Sequence, residues 1–195
     1  MRKQTSAGII GAVVLAAGLL TAAPAQADTC AEDTACDTTT TFDVTAGALE
    51  ITVPDTADLG NDATPGGYAY GSLGPVTVSD ERASLTPTWT ATVTGTDFTT
   101  GGETTPETIP NSSIYYFSGN ATATTGDGTF TPGQAGAFAP PPPPVGQTLD
   151  VSRTAFSHSG GTGNNSATWN PSLTAQVALN KVAGTYTGTI SHTVT

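Results

Sequence analysis

The sequence predicts an all-β protein: a single Ig-like antiparallel β-sandwich behind an N-terminal signal peptide. Three observations predict it. Apolar residues alternate with threonine and serine at a period of two through much of the chain, which gives each strand one inner and one outer face. Glycine and proline, 23 and 14 of the 195 residues, punctuate those runs at the short intervals that sandwich turns require. Beyond the leader, no stretch carries the 3.6-residue apolar period of a helix.

Residues 1–27 have the three parts of a secretory leader. Arg2 and Lys3 supply the positive start, residues 9–20 the apolar run, and Ala25-Gln26-Ala27 after Pro24 the small-residue cleavage site. The run is shorter than the roughly 20 apolar residues of a membrane span. No second such run follows, so a soluble exported chain from Asp28 is expected. Residues 28–40 read as a flexible lead. Cys30 and Cys36 are the only cysteines, and an even count in an exported chain predicts a disulfide. Closing so small a ring contributes at most about 2–2.5 kcal/mol.

The sandwich is expected over residues 41–195. Residues 41–44 (Thr-Phe-Asp-Val) and 49–53 (Leu-Glu-Ile-Thr-Val) alternate, and with Ala46-Gly47-Ala48 between them they read as a hairpin. Pro54 ends the second strand, and residues 55–71 are rich in turn formers. Residues 75–79 make the next strand, closed by the charged turn Asp80-Glu81-Arg82. Residues 87–94 are the clearest strand, with Trp89, Ala91 and Val93 on one face and threonines on the other. Residues 113–117 carry large side chains on both faces, which places that strand centrally or under a loop. Residues 118–148 are less regular, and the five prolines 140–144 predict an extended polyproline II crossing between two halves of the domain. Regularity returns at 147–156. Residues 160–165 read as a flexible loop, 171–179 as a strand, and 184–194 as the closing strand, with Tyr186, Ile190, His192 and Val194 on one face. The inward residues Val44, Leu49, Ile51, Val53, Val76, Val78, Trp89, Val93, Ile114, Val177, Tyr186 and Ile190 suffice for two sheets over one core.

Charge narrows the partners. The whole chain carries a formal −11, and losing Arg2 and Lys3 with the leader leaves −13. Nucleic acid demands basic groups for its phosphates, and anionic lipid does the same, so neither is an expected partner. Neutral polymers, cations and basic partners are compatible with this charge.

Aromatic side chains are the candidate ligand-binding residues. Trp169 stands beside the glycine-rich stretch 160–165, and Tyr68 and Tyr70 stand in a second glycine-rich stretch. Loops at a sandwich end carry binding residues. Trp89, on its alternating strand, reads first as a core residue. No catalytic residue, cofactor or metal ligand is assigned. His158 and His192 are the only histidines, and no Gly-x-Ser-x-Gly elbow occurs. Asp55, Asp58, Asn61 and Asp62 form an oxygen-rich loop, but their spacing fits no EF-hand and they read as solvated turn residues.

Two segments resemble a known family. Residues 73–82, Leu-Gly-Pro-Val-Thr-Val-Ser-Asp-Glu-Arg, lead into Trp89-Thr90-Ala91-Thr92-Val93 and Thr96-Asp97-Phe98. This is similar to the first half of the WxL domain, an LG-x-V-x-V-x-D-x-R stretch before a Trp-x-Leu strand. Residues 183–194 are similar to its second motif, a Tyr, three residues, then Leu-Thr-Trp-Thr-Leu. From residue 42 to 195 the order is that of the family, and the chain most resembles WxL-like secreted proteins of high-GC Gram-positive bacteria. Trp89 and Tyr186 match the signature positions. Ala91 stands where the family has Leu, His192 where it has Trp, and Ile190 and Val194 replace leucines. The resemblance implies a non-catalytic secreted protein, associated non-covalently with the cell wall through peptidoglycan or another envelope polymer. Two other classes stay open: a secreted hydrolase with a loop-borne site, and a structural subunit assembling through exposed strand edges.

Overall fold

A computed structural model describes residues 29–60 and 63–195. The expected signal peptide, and Asn61 and Asp62 of the acidic loop, lie outside the described residues. The chain divides into one unit ending at Asp43 and a second from Val44 to Thr195. In the first, Cys30 and Cys36 form a disulfide, with Cα atoms 5.8 Å apart.

The second unit is all β, with no α-helix among the described residues. Its strands are β1 (Leu49–Thr52), β2 (Tyr68–Ser72), β3 (Val76–Ser84), β4 (Thr88–Gly95) and β5 (Phe98–Thr99). There follow β6 (Thr108–Ile109), β7 (Ile114–Phe117), β8 (Ala121–Thr125), β9 (Thr129–Pro132) and β10 (Gln147–Thr148). The last four are β11 (Arg153–Ser159), β12 (Gly163–Trp169), β13 (Ser172–Gln176) and β14 (Ile190–Val194). Three antiparallel ladders run β1-β3-β12-β8, β10-β7-β13-β2 and β14-β4-β11-β9.

The first two ladders are halves of one bent sheet. β2 runs into β3 across Leu73-Gly74-Pro75, β7 into β8 across Ser118-Gly119-Asn120, and β12 into β13 across Asn170-Pro171, and the lateral order is the same on both sides of the bend. Sequence makes the bend. Pro75 and Pro171 have no N–H for a ladder, while Gly74 and Gly119 adopt φ of 86° and 68°. The Leu73 N–H donates to Pro171 O at 2.8 Å, and the Ser72 hydroxyl to Asn170 Oδ1 at 2.8 Å. The third ladder faces this sheet, which makes an antiparallel β-sandwich. Its pairings are nested: β3 with β12, and between them in sequence β4 with β11. Between the sheets lie Val76, Val78, Trp89, Ala91, Val93, Phe156 and Trp169, all buried, with Tyr116 and Leu173 from the other half of the bend.

Several expected elements are redrawn. Residues 41–44 form no strand, and Phe42 and Val44 are 85% and 76% exposed. β1 pairs with β3 instead, in the register Leu49↔Asp80 to Thr52↔Thr77. Pairing continues only as far as Gly47 N–H to Glu81 O, because β3 turns at Ala83, whose φ is 51°. Val53, expected inside, is 41% exposed just past the end of β1. The charged turn at 80–82 is part of β3, and Asp80 is fully buried. Residues 118–148 contain β8, β9 and β10, whose threonines and glycines mask the alternation. The prolines bend at 141–143 rather than running straight. The expected loop 160–165 already contains the start of β12. The closing strand is confined to β14, preceded by a single bridge between Thr187 and Thr99.

Candidate functional site

The two tryptophans organise the interior, and each is tied by its indole N–H. Trp89 of β4 donates to Asn165 Oδ1 of β12 at 2.7 Å. Asn165 Nδ2 lies 3.4 Å from Asp80 Oδ2. The Asp80 carboxylate receives Arg82 Nε and Nη2, each at 2.8 Å, and the Arg82 main-chain N–H at 3.1 Å. Those hydrogen bonds from Arg82 hold the Asp80 carboxyl below the usual carboxylate range. His158 stacks on Trp89, with ring centroids 5.8 Å apart and planes at 22°. Its Nε2 is 2.9 Å from the Asp127 carbonyl oxygen, so Nε2 carries the proton and donates.

Trp169 of β12 is fully buried, so the expectation of an exposed platform is corrected. Alternation along β12 turns it inward with Ala167 and Asn165. It stacks on Phe156, with centroids 4.9 Å apart, and donates to the Tyr116 hydroxyl at 3.0 Å. That hydroxyl also shares a hydrogen bond with His192 Nε2 at 3.1 Å. Burial pushes the His192 pKa down to about 4 and raises that of the Tyr116 phenol, so both are neutral. The two sequence motifs meet here. β14 lies antiparallel on β4, with His192 opposite Val93 and Val194 opposite Ala91. Tyr186 is half-buried, its hydroxyl 2.9 Å from Val182 O and 3.1 Å from Pro106 O.

Tyr68 and Tyr70 are in strand β2 rather than in a loop. Neighbouring β13 and β7 turn Leu173, Ala175, Ile114 and Tyr116 into the core. The residues between them therefore face outward. The register sets Tyr70, Thr174, Tyr115 and Thr148 in one row across four strands, with Tyr68 beside Gln176. All three tyrosines are half-buried. Phe138, from the segment that leads into the prolines, closes one side, its ring 6.1 Å from Tyr70 and 6.2 Å from Phe117. Thr174 is fully buried between the tyrosines, and its hydroxyl has no hydrogen-bond partner. Leaving such a group unpaired costs about 1–3 kcal/mol. The row contains no charged residue. Tyr115, Thr174 and Phe138 escaped sequence reading. The signal for Tyr115 was present in the doubly large strand 113–117, but its neighbours depend on pairings between distant segments.

Two further places hold polar groups. Glu103, Thr105, Thr108, Pro110 and Lys181 line an open groove of about 300 Å³, where Lys181 Nζ donates to Thr105 O at 2.8 Å. Asp150 is paired with Arg153 at 2.7 Å. Among the described residues no three of His, Cys, Asp and Glu stand close enough to hold a metal. In the acidic loop, Asp58 accepts the Gly60 N–H at 2.9 Å, as a turn residue does. Compared with known proteins, the chain matches no family model, no curated protein and no solved structure.

Proposed function

We propose that this is a non-catalytic exported protein that associates with a neutral polymer of the cell envelope, through the outer face of β2, β13 and β7. Peptidoglycan is the polymer implied by the resemblance to WxL-like proteins. The row Tyr70-Thr174-Tyr115 is the observation that carries the reading. Sugar rings have apolar faces that pack on aromatic rings, and equatorial hydroxyls that seek acceptors and donors at the rim. The face offers both, in the half-buried tyrosine rings and in the exposed amide of Gln176 at their edge. Its lack of charge suits a neutral glycan in a protein with few basic residues. Secretion rests on the leader-like residues 1–27. Asp80 and Arg82 brace Trp89, and His192, in place of a tryptophan, still reaches the core network.

The test is sedimentation of purified residues 28–195 with insoluble Gram-positive walls, beside Tyr70→Ala and Tyr115→Ala. Near-ultraviolet circular dichroism of the buried tryptophans checks folding. Saturable binding weakened about tenfold or more in each folded variant is expected, since a stacked aromatic ring contributes on the order of 1–3 kcal/mol. Binding that both variants retain in full sinks the tyrosine face, and no binding by the parent chain sinks wall association.

A further inference from the structure

Residues 41–46 have the side-chain pattern of a strand without a partner. Phe42 and Val44 alternate with Thr41, Asp43 and Thr45, yet no ladder includes them and both apolar side chains are exposed. The ladder that could have extended onto them ends at Gly47 and Glu81, where β3 turns at Ala83. At the opposite edge of the same four-stranded ladder lies β8, Ala121–Thr125. Its sequence, Ala-Thr-Ala-Thr-Thr, has no charge and no proline, and four of its five residues are exposed. Natural sheets guard such an edge with lysine, proline, brevity or a covering loop. The other edges differ: β9 ends in Pro132, β10 has two residues, β2 is backed by the main chain of Leu59 at Gly71, β1 carries Glu50, and β14 stands beside β1. β8 has none of these devices.

We infer that residues 41–46 of one copy add as a strand to β8 of a second copy, so that the chain assembles head to tail. The partner is this same protein because one molecule presents both halves of the contact: an extended apolar-alternating segment, and an unguarded uncharged edge. Backbone hydrogen bonds supply the pairing, and burial of Phe42 and Val44 supplies the gain. Donor and acceptor are different segments of the chain, so the contact is heterologous. Unless the rotation between copies closes a ring, it propagates into open chains. Like charge on the copies opposes contact at low ionic strength and is screened by salt.

Sedimentation velocity of the purified chain, up to about 1 mM where weak strand addition populates, reads this directly. Dimers, trimers and longer species are expected, increasing with salt. Phe42→Asp/Val44→Asp disables the donor, and Thr124→Lys guards the acceptor edge. All three positions are exposed, so each variant keeps its fold, checked by its urea midpoint. Each variant alone is expected to be monomeric, with association weakened by about tenfold or more. Mixed together they are expected to form dimers and nothing longer, because each retains the half the other lacks. A parent chain that is monomeric throughout overturns the inference. So does association that survives in either variant, or a mixture that fails to dimerise.

Discussion

Replacing Asp80 by alanine tests whether the polar chain through the core fastens β3, β4 and β12 together. The carboxylate is fully buried and receives three hydrogen bonds from Arg82 and one from Asn165. Removing one partner of a buried ion pair costs about 3–5 kcal/mol when the other charge stays buried. Arg82 does not stay buried: its side chain is 38% exposed, and the freed guanidinium turns to water. Solvent reduces that charge contribution to about 0–1 kcal/mol. The main-chain N–H of Arg82 and the Asn165 amide each lose a bond, at about 1 kcal/mol apiece. Together the loss is about 2–3 kcal/mol, a large part of the 5–15 kcal/mol typical of a domain. With a urea slope of about 2 kcal/mol per molar, the midpoint falls by about 1–1.5 M. Trp89 and Trp169 fluorescence reports the transition, since unfolding exposes both. Because Arg82 lowers the Asp80 pKa, this stability is fully present above the unfolded value of 3.8 and is lost as pH falls through the lower folded value. Asp80→Ala therefore also removes part of the acid dependence. A midpoint within about 0.2 M of the parent, at unchanged slope, would refute the claim that this network holds the sandwich together.

Other perturbations read other parts of the molecule. The His192 pKa is depressed from 6.5 to about 4, so the unfolded chain takes up a proton first as pH falls, and the parent loses up to about 3 kcal/mol between those values. His192→Phe is expected to flatten that limb, seen in urea midpoints at a series of pH values. Trp169→Phe removes the indole bond to Tyr116 and leaves a void beside Phe156, a cost of about 2–4 kcal/mol by the same assay. Gly128→Ala places a Cβ 2.5 Å from His158 Nε2 and 2.6 Å from Gly160 O at a φ of 110°, and thermal unfolding is expected to drop by about 5–10 °C. Thr174→Val removes the unpaired hydroxyl, and is expected to raise stability by about 1 kcal/mol while leaving wall sedimentation unchanged, because that hydroxyl is fully buried.

Strand faces were legible in the sequence where pairing was not. Trp89, Ala91 and Val93 declare their face by alternation, since period two is a property of a single strand, and all three are buried. Ile190, His192 and Val194 do the same and are the half-buried positions of β14. The hairpin expected from 41–53 failed because β1 found its partner in β3, some thirty residues on, and local pattern carries no information about that choice. Asp80, Glu81 and Arg82 read as a turn because three consecutive charges rarely enter a strand. The fold admits them because Arg82 folds back onto Asp80 and Asn165 arrives from β12. The candidate site was half legible for the same reason. Tyr68 and Tyr70 were singled out, but Tyr115 and Thr174 join them only through register.

Trp169, the aromatic that sequence marked first for sugar binding, and Trp89, which it gave to the core, are both unsuited to that task because both indoles have donors spent inside the sandwich. Any surface contact must then be made by tyrosines or by backbone edges, and these two kinds of contact answer differently to salt. A neutral tyrosine face meeting a neutral glycan involves no net charge, so its binding should be nearly flat from about 0.02 to 0.5 M salt. Association between two copies that share a strongly acidic charge should strengthen over the same range, because screening removes repulsion between them. Measured side by side on one preparation, the two salt profiles separate wall association from self-assembly without a mutation. Wall sedimentation that rises with salt in parallel with chain length would mean that walls collect assemblies, and that the tyrosine face is not what holds them.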